Sequence, residues 1–383
     1  MSISRRGDSW RARYYGPDGR QRSKSFQRKA DAERWVTQQR SQIAQGDWID
    51  PAHARIAFSE YAPRWLESRA SIKPKTRQVQ ATLLNRHVMP TWGPVRLDRI
   101  TFEGLTRWVA DLMGTGLGPS GVRQSVYLVS SILEHAVRSG RIRSNPARGL
   151  ALPRPQKRDY VFLTHVQLAA LADAAGRWRL LVLVLGYTGL RWGEATALRA
   201  CDIDLNRRRI DVRRAFSDVG GKLVLGTPKS HHARTVPLPR FLAAELTGHI
   251  ACLKPDDLVF TTASGSVVRS ANWRQGVFLP VRKLAGISDR FRVHDLRHTA
   301  AALMIQAGYP PKMLQEILGH ASITTTLDLY GHLYPGDMDK YADRLDAAAS
   351  HVTGTDTTSV AVSVAVNKAK TRPDNEEDGP GAS

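Results

Sequence analysis

Only two of the 383 residues are cysteine, Cys201 and Cys252, and they stand far apart. That spacing excludes a disulfide framework or a cysteine-rich zinc site and suits a reducing compartment. Long apolar runs are missing too. The longest, residues 180–185, falls far short of the roughly 20 residues a membrane-spanning helix needs, and reads as a core helix. No apolar stretch follows Arg5-Arg6, so a twin-arginine export signal is set aside. There is no Gly-x-x-x-x-Gly-Lys loop to cradle a nucleoside triphosphate. No acidic cluster suggests two-metal chemistry, and no carboxylate or cysteine stands at ligand spacing around His231-His232. No cofactor and no metal are therefore expected. Acidic residues are scarce as well: 35 Asp and Glu against 56 Lys and Arg leave a net charge of +21. Such a chain attracts a polyanion and releases its counterions on binding, so nucleic acid is the expected partner. No long basic amphipathic helix directs that charge to a membrane surface.

The organisation reads as multidomain, mainly α with small β-sheets. Residues 1–50 form a first domain. Its opening 40 residues carry 11 Lys and Arg against 4 Asp and Glu. Residues 9–15 alternate like a strand, Gly16-Pro17-Asp18-Gly19 is a turn signal, and residues 20–26 read as the returning strand. A helix is expected over residues 29–44, with Ala30, Ala32, Trp35 and Val36 facing inward. A small basic sheet backed by one helix suits a DNA groove, with Arg11, Arg13, Arg20 and Arg22 as the candidate contacts. A linker over residues 46–54 leads to an all-helical domain, residues 55–155. Its expected helices are marked by Phe58, Tyr61, Trp65 and Leu66; by Val79, Leu83 and Leu84; by Leu105, Trp108, Val109 and Leu112; and by Val122, Val126, Val129, Leu133 and Val137, the last capped by Ser120. These stripes are the domain's core.

After a basic linker over residues 154–159, the pattern of residues 160–350 is α+β. Thr164 caps one helix, the apolar run forms a second, and residues 193–198 lie on a third. Residues 209–215, 222–225 and 234–238 read as three antiparallel strands. Helices resume at Phe241, Asn272, Asp295, Pro311 and Asp337. The tail over residues 351–383 is expected to be disordered for the most part, although residues 360–366 alternate like a strand.

The second half also carries a series of chemically suggestive residues. In order, they are Gly189-Leu190-Arg191-Trp192-Gly193-Glu194, Thr227-Pro228-Lys229, His294-Asp295-Leu296-Arg297-His298, Leu318-Gly319-His320 and Tyr330-Gly331-His332. Arg191 and Arg297 suit a phosphate, because guanidinium forks match its oxygens and stay charged. Arg191 follows an apolar helix and a glycine turn, where a solvated arginine has no evident purpose. Tyr330 can act as a nucleophile once ionised; a free tyrosine has a pKa of ~10. Neighbouring cations are expected to lower that value. Tyr334 is the alternative. His294 and His320 titrate near neutrality and can move a proton or donate to phosphate. Lys229 sits between two expected strands, at a hairpin tip. Glu194 is expected to orient Arg191, and His298 and His332 read as structural.

This series resembles the tyrosine recombinase family, the integrases of phages and mobile elements. The family pattern is an Arg after a Gly-containing turn, a Lys in a β-hairpin, His-x-x-Arg, Leu-Gly-His and then a Tyr, and all five elements occur here in order. Tyr330 stands ten positions after His320. Gly140, Ile142 and Asn145-Pro146 resemble the end of the family's core-binding domain, and the basic N-terminal hairpin resembles its arm-binding domain.

The resemblance implies a site-specific recombinase that cleaves and rejoins DNA through a 3′-phosphotyrosine, integrating and excising a phage or mobile element. Arg191, Lys229, His294, Arg297, His320 and Tyr330 would be catalytic. Lys229 would be the acid for the departing 5′-oxygen, His294 a general acid/base and His320 a phosphate ligand. The two larger domains would clamp the duplex, and four protomers would hold two duplexes, with the segment after Tyr330 packing against a neighbour. The expected partners are double-stranded attachment sites, an excisionase and a host DNA-bending protein, in a bacterial cytoplasm at the nucleoid. A type IB topoisomerase-like relaxing activity and a catalytically silent DNA-binding regulator are the alternatives.

Overall fold

The structure is a computed structural model that describes residues 1–46, 48–50, 52–155, 158–228, 233–334, 336 and 338–353. The readings at Lys229, at His231-His232, at the Asp337 helix start and over the end of the tail lie outside the described residues. Two compact units are present, one over Met1–Tyr330 and the other beginning at Gly331.

The first unit opens with a three-stranded antiparallel sheet in the order β1 (Ser2–Arg6), β2 (Ser9–Tyr15) and β3 (Gln21–Phe26). The β1 strand has no apolar alternation and was not expected. It pairs along its whole length with β2, Ile3 opposite Ala12 and Ser4 opposite Arg11. Helix α1 (Lys29–Ala44) covers one face, burying Ala12, Tyr14 and Ala32, with Tyr14 set edge-on to Trp35 at 5.2 Å. Ala30, expected to face inward, is exposed. Alternation then places Arg11, Arg13 and Tyr15 on the opposite, open face, flanked by Ser2, Ser4, Ser23 and Ser25.

Arg22 departs from its expected role as a groove contact. It points to the other face, where its guanidinium donates to Asp18 at 2.7 Å and Asp50 at 2.5 Å and lies 4.5 Å from the Trp48 ring centre. Trp48 in turn donates to the Tyr14 hydroxyl at 3.0 Å. Arg22 thus fastens the start of the expected linker to the sheet.

The helical segment comprises α2 (Phe58–Ser68), α3 (Pro74–Leu83), α4 (Met89–Trp92), α5 (Phe102–Gly114) and α6 (Pro119–Arg138). A single π turn over Leu84–Val88 joins α3 to α4. The core is Phe58, Trp65, Leu105, Trp108, Ile132 and Leu133 with their neighbours. Two details differ from expectation. Gly118, not Ser120, is the N-cap of α6, because Pro119 is pre-set for the first helical position. Val79 faces a cleft instead of the core.

Next come α7 (His165–Ala174), capped by Thr164 and Gln167, α8 (Arg179–Thr188) and α9 (Trp192–Ala195). Helix α8 is buried over almost its whole length and packs on α7, on α10 (Arg240–Ile250) and on α13 (Asp295–Gln306). The strands form two sheets where one was expected. β4 (Ile203–Asp204), β5 (Arg209–Val212) and β8 (Arg234–Pro237) make one sheet, and β6 (Ala215–Val219) and β7 (Lys222–Gly226) make a separate hairpin. The break falls at Arg213-Arg214, where Arg214 turns to a buried ion pair with Asp202 at 2.8 Å. The strands before and after Lys229, β7 and β8, therefore belong to different sheets.

Helices α11 (Ser270–Trp273) and α12 (Leu279–Leu284) are joined by a π turn, and α14 (Pro311–Leu318) precedes α15 (Ile323–Tyr330). Helix α15 escaped the pattern reading because its first half is Ile-Thr-Thr-Thr, β-branched residues with low helix preference. The second unit holds a short turn over Gly331–Leu333 and α16 (Met338–Thr353), which exposes Met338, Tyr341 and Leu345. No helix among the described residues is long and apolar enough to cross a membrane.

Arg22→Ala should lower the midpoint of thermal unfolding by a few degrees, whereas Arg20→Ala on the exposed turn should leave it unchanged. Differential scanning calorimetry of the two variants checks this.

Candidate active site

The site is assembled where the ends of α8, α9, α13, α14 and α15 meet. Helix α8 stops at Gly189, whose φ of 66° is left-handed; a Cβ there would lie 2.8 Å from Leu318 Cδ2. The turn delivers Arg191 to the N-cap of α9. Its guanidinium donates to Glu194 Oε1 at 2.9 Å and to the Gly319 carbonyl at 3.3 Å, and it remains partly exposed. Arg297, on α13, is buried and donates to the carbonyls of Gly189 at 2.6 Å and Leu318 at 2.5 Å. One side chain thereby clamps the turn before Arg191 to the turn before His320. Burial, and then repulsion from Arg191, lowers its pKa to about 9, which still leaves it cationic at neutral pH.

His320 follows the left-handed Gly319, and its Nδ1 lies 2.9 Å from Thr326 Oγ1. Burial, followed by the charges of Arg297 and Arg191, pushes its pKa down to about 4. It is a neutral imidazole at pH 7, so one ring nitrogen carries hydrogen and can donate while the other accepts. The Tyr330 ring lies parallel to it, 6.5 Å between centres. Tyr330 is almost wholly buried, and burial pushes its pKa up to about 12, against the lowering pull of Arg297. Desolvation of the phenolate outweighs the cations here, so the expected lowering is reversed in sign.

Arg191, Glu194, His294, Arg297, His320 and Tyr330 thus gather in one region. Arg11, Arg13 and Arg20 belong to the N-terminal sheet instead, and Tyr334 lies in the second unit. His298, read as structural, proves to be the hydrogen-bond partner of Tyr330: its Nδ1 stands 2.8 Å from the phenolic oxygen. Residues three positions apart on a helix share a face, which accounts for His294 and Arg297; His298, four from His294, joins them, with ring centres 5.2 Å apart.

Arg234 was missed altogether. Its side chain is only 8% exposed and donates twice to Glu194, at 3.0 and 2.7 Å, and once to the Ile317 carbonyl at 2.7 Å. Burial would raise the carboxyl of Glu194, but Arg234 and Arg191 overcome that and hold it at about 2. A signal was available in the sequence: Arg234 shares a strand face with the buried Val236, and an inward charge demands a partner.

Hairpin β6–β7 lies against α9, with Phe216 O only 2.2 Å from where a Gly193 Cβ would stand. Lys73, at the start of α3, donates to the carbonyls of Thr227 at 3.3 Å and Pro228 at 2.8 Å. A cleft of about 970 Å³ lies between α3, α6 and this hairpin, with Arg191 and Glu194 on its wall.

Known proteins match this architecture segment by segment. Residues 161–336 match the Phage integrase family, residues 4–45 its "Phage integrase, N-terminal domain" and residues 57–113 its "Phage integrase, N-terminal SAM-like domain". A putative prophage phiRv2 integrase of Mycobacterium tuberculosis is 33% identical, over 89% of this chain and 93% of its own. The integrase of Mycobacterium phage D29 is 28% identical over 81% and 84%. In fold, the chain is similar to the Tn1549 transposon integrase in complex with transposon right-end DNA, with a TM-score of 0.66 at 20% identity over 77% of this chain and all of that one. A lambda integrase dimer bound to a core site gives 0.56 at 17% identity, covering 85% and 93%. The chain belongs to the phage integrase family, the site-specific tyrosine recombinases. Its activity is the cutting and rejoining of DNA strands, and neither the topoisomerase nor the silent-regulator reading is favoured.

Arg234→Met should leave Glu194 buried with only Arg191 beside it. Breaking a buried pair of this kind costs about 3–5 kcal/mol. The carboxyl of Glu194 would then rise above its usual value, so the folded state would bind the extra proton, and the deficit should shrink as pH falls from 7 toward the carboxylate range. Wild type behaves oppositely: its Glu194 contribution is complete above the usual carboxylate pKa and is lost as pH falls through about 2. Urea unfolding at several pH values separates the two.

Proposed function

We propose that Tyr330 attacks a DNA phosphodiester held by Arg191, Arg297 and His320, producing a 3′-phosphotyrosine and a free 5′-hydroxyl. The observation that carries this reading is the Arg297 clamp on the carbonyls of Gly189 and Leu318, which draws both phosphate-binding turns toward the tyrosine. Two guanidinium groups and a neutral imidazole donor suit the charge that builds on nonbridging oxygens in the transition state. Lys229 is the acid for the departing 5′-oxygen, and His294 assists proton movement. The covalent link conserves the energy of the bond for religation.

The substrate is a pair of double-stranded attachment sites, and the product an integrated or excised phage or mobile element. Four protomers assemble on two duplexes. A similar fold in the lambda integrase tetramer bound to a Holliday junction, with a TM-score of 0.56, supports such an arrangement. The open sheet face, with Arg11 and Arg13 among serines and Arg20 at the turn, is an arm-site reader; phosphate contacts supply its affinity and groove contacts its preference. An excisionase and a host DNA-bending protein set direction and geometry, and the reaction takes place at the nucleoid of a bacterial cytoplasm.

Tyr330→Phe should bind attachment-site DNA as wild type does yet form no covalent adduct on denaturing gels. Wild type should form it with EDTA present, since arginines supply the charge. An adduct from the Phe variant would transfer the role to Tyr334. Removing residues 1–50 should abolish one of two protected regions in a footprint and depress integration, while core-site cleavage persists. A complete footprint from the truncated protein would show the segment to be only a basic tail.

A further inference from the structure

Tyrosine attack needs somewhere for the phenolic proton to go, and Lys229 serves the opposite oxygen. We propose that His298 is the general base that takes the proton from Tyr330 during strand cleavage and returns it during religation. The inference rests on the reading of Tyr330 as nucleophile. Three observations lead to it. His298 Nδ1 stands 2.8 Å from Tyr330 Oη, within hydrogen-bond reach for proton transfer. The imidazole is held on two sides: Tyr160 packs on its face with ring centres 4.2 Å apart, and His294 meets it edge-on. The Tyr160 support is itself anchored, because Arg158, two residues earlier, pairs with the fully buried Asp295 at 2.5 Å. A residue of the supposed linker thus fixes the orientation of the ring next to the nucleophile.

The charged and titratable groups that bear on the imidazole are His294, Asp295 and Arg297 at the start of its own helix, Arg158 and Tyr160 of the preceding segment, His320, and Tyr330 on α15. Burial dominates, with His294 next, and lowers the His298 pKa to about 4, so the ring is neutral at pH 7, and the tautomer with hydrogen on Nε2 presents the Nδ1 lone pair to the phenol. In the step itself, the Oη–P bond forms as the P–O5′ bond breaks. The Oη–H proton passes to Nδ1, and a proton from Lys229 goes to the 5′-oxygen. The phenolic oxygen loses basicity as it bonds to phosphorus, so the transfer becomes favourable as the reaction proceeds. The phosphodiester's negative charge beside Arg191 and Arg297 also favours the imidazolium that results. Religation reverses each transfer.

The test is single-turnover cleavage by the full-length protein. Its probe is a synthetic duplex of the footprinted attachment site with a 5′-bridging phosphorothioate, which needs no leaving-group acid. Wild type should show a rate that rises with pH to a plateau. His298→Ala should lose about 10²–10⁴-fold near neutrality, rise steadily with pH toward tyrosine ionisation, and recover with added imidazoles in the order of their basicity. His298→Asn supplies an acceptor oxygen near the Nδ1 position without basicity and should be as slow as His298→Ala. Full activity in His298→Asn, or a pH-independent loss with no rescue, would reduce His298 to packing or positioning and overturn the proposal. Faster cleavage by His298→Ala would overturn it too, identifying the bond as a restraint on Tyr330. An adduct from Tyr330→Phe in the same assay would instead overturn the nucleophile reading.

Discussion

The active region depends on one buried cation. Arg297 sits on α13 beneath the ends of two other helices, and its guanidinium satisfies the terminal carbonyls of Gly189 and Leu318. Helix C-termini leave carbonyls without intrahelical partners, and a buried cation there meets both the hydrogen-bonding need and the negative end of the dipole. The same contacts fix the two turns from which Arg191 and His320 emerge. The left-handed glycine at each turn is what lets the chain reverse so sharply within reach of Arg297.

Burying that cation places demands on its surroundings. Arg191, Arg234 and Arg297 lie close enough to repel one another, and Glu194 is the buried carboxylate among them. By binding Arg234 through both oxygens, Glu194 ties the β4–β5–β8 sheet to α9, and by bonding Arg191 through Oε1 it aims that guanidinium. The cluster keeps a net positive charge, which suits an anionic phosphate. The aromatic and imidazole side chains are governed by desolvation instead: Tyr330 is held protonated, and His298 and His320 neutral. The phenol and the two imidazoles therefore carry no free charge at neutral pH.

Elsewhere, close approach replaces charge as the organising constraint. Gly193 admits the backbone of β6 where any side chain would collide, setting hairpin β6–β7 against α9. Lys73 reaches from the helical segment to the chain just after that hairpin, so α3 and the hairpin's far end are tied together.

The sequence by itself determined much of the local structure and singled out most of the residues that the fold brings together around Arg297. The stripes at Phe58–Trp65 and Leu105–Leu112, the Thr164 cap and the Gly189 turn are local signals, written in spacing and in residues with few alternative uses. Arg191, His294, Arg297, His320 and Tyr330 were legible because their residue types and their order along the chain are distinctive. Tertiary structure alone decided what depends on neighbours remote in sequence. Arg22 looks like any exposed arginine until Asp50 and Trp48 fold back on it. β7 pairs with β6 and not with β8 because Arg214 leaves the strand for Asp202. The sign of the Tyr330 pKa shift was beyond a reading of residue types, since burial and nearby cations oppose each other and only packing says which prevails. Arg234 and His298 acquired their partners the same way, through contacts 40 and 32 residues away in the chain.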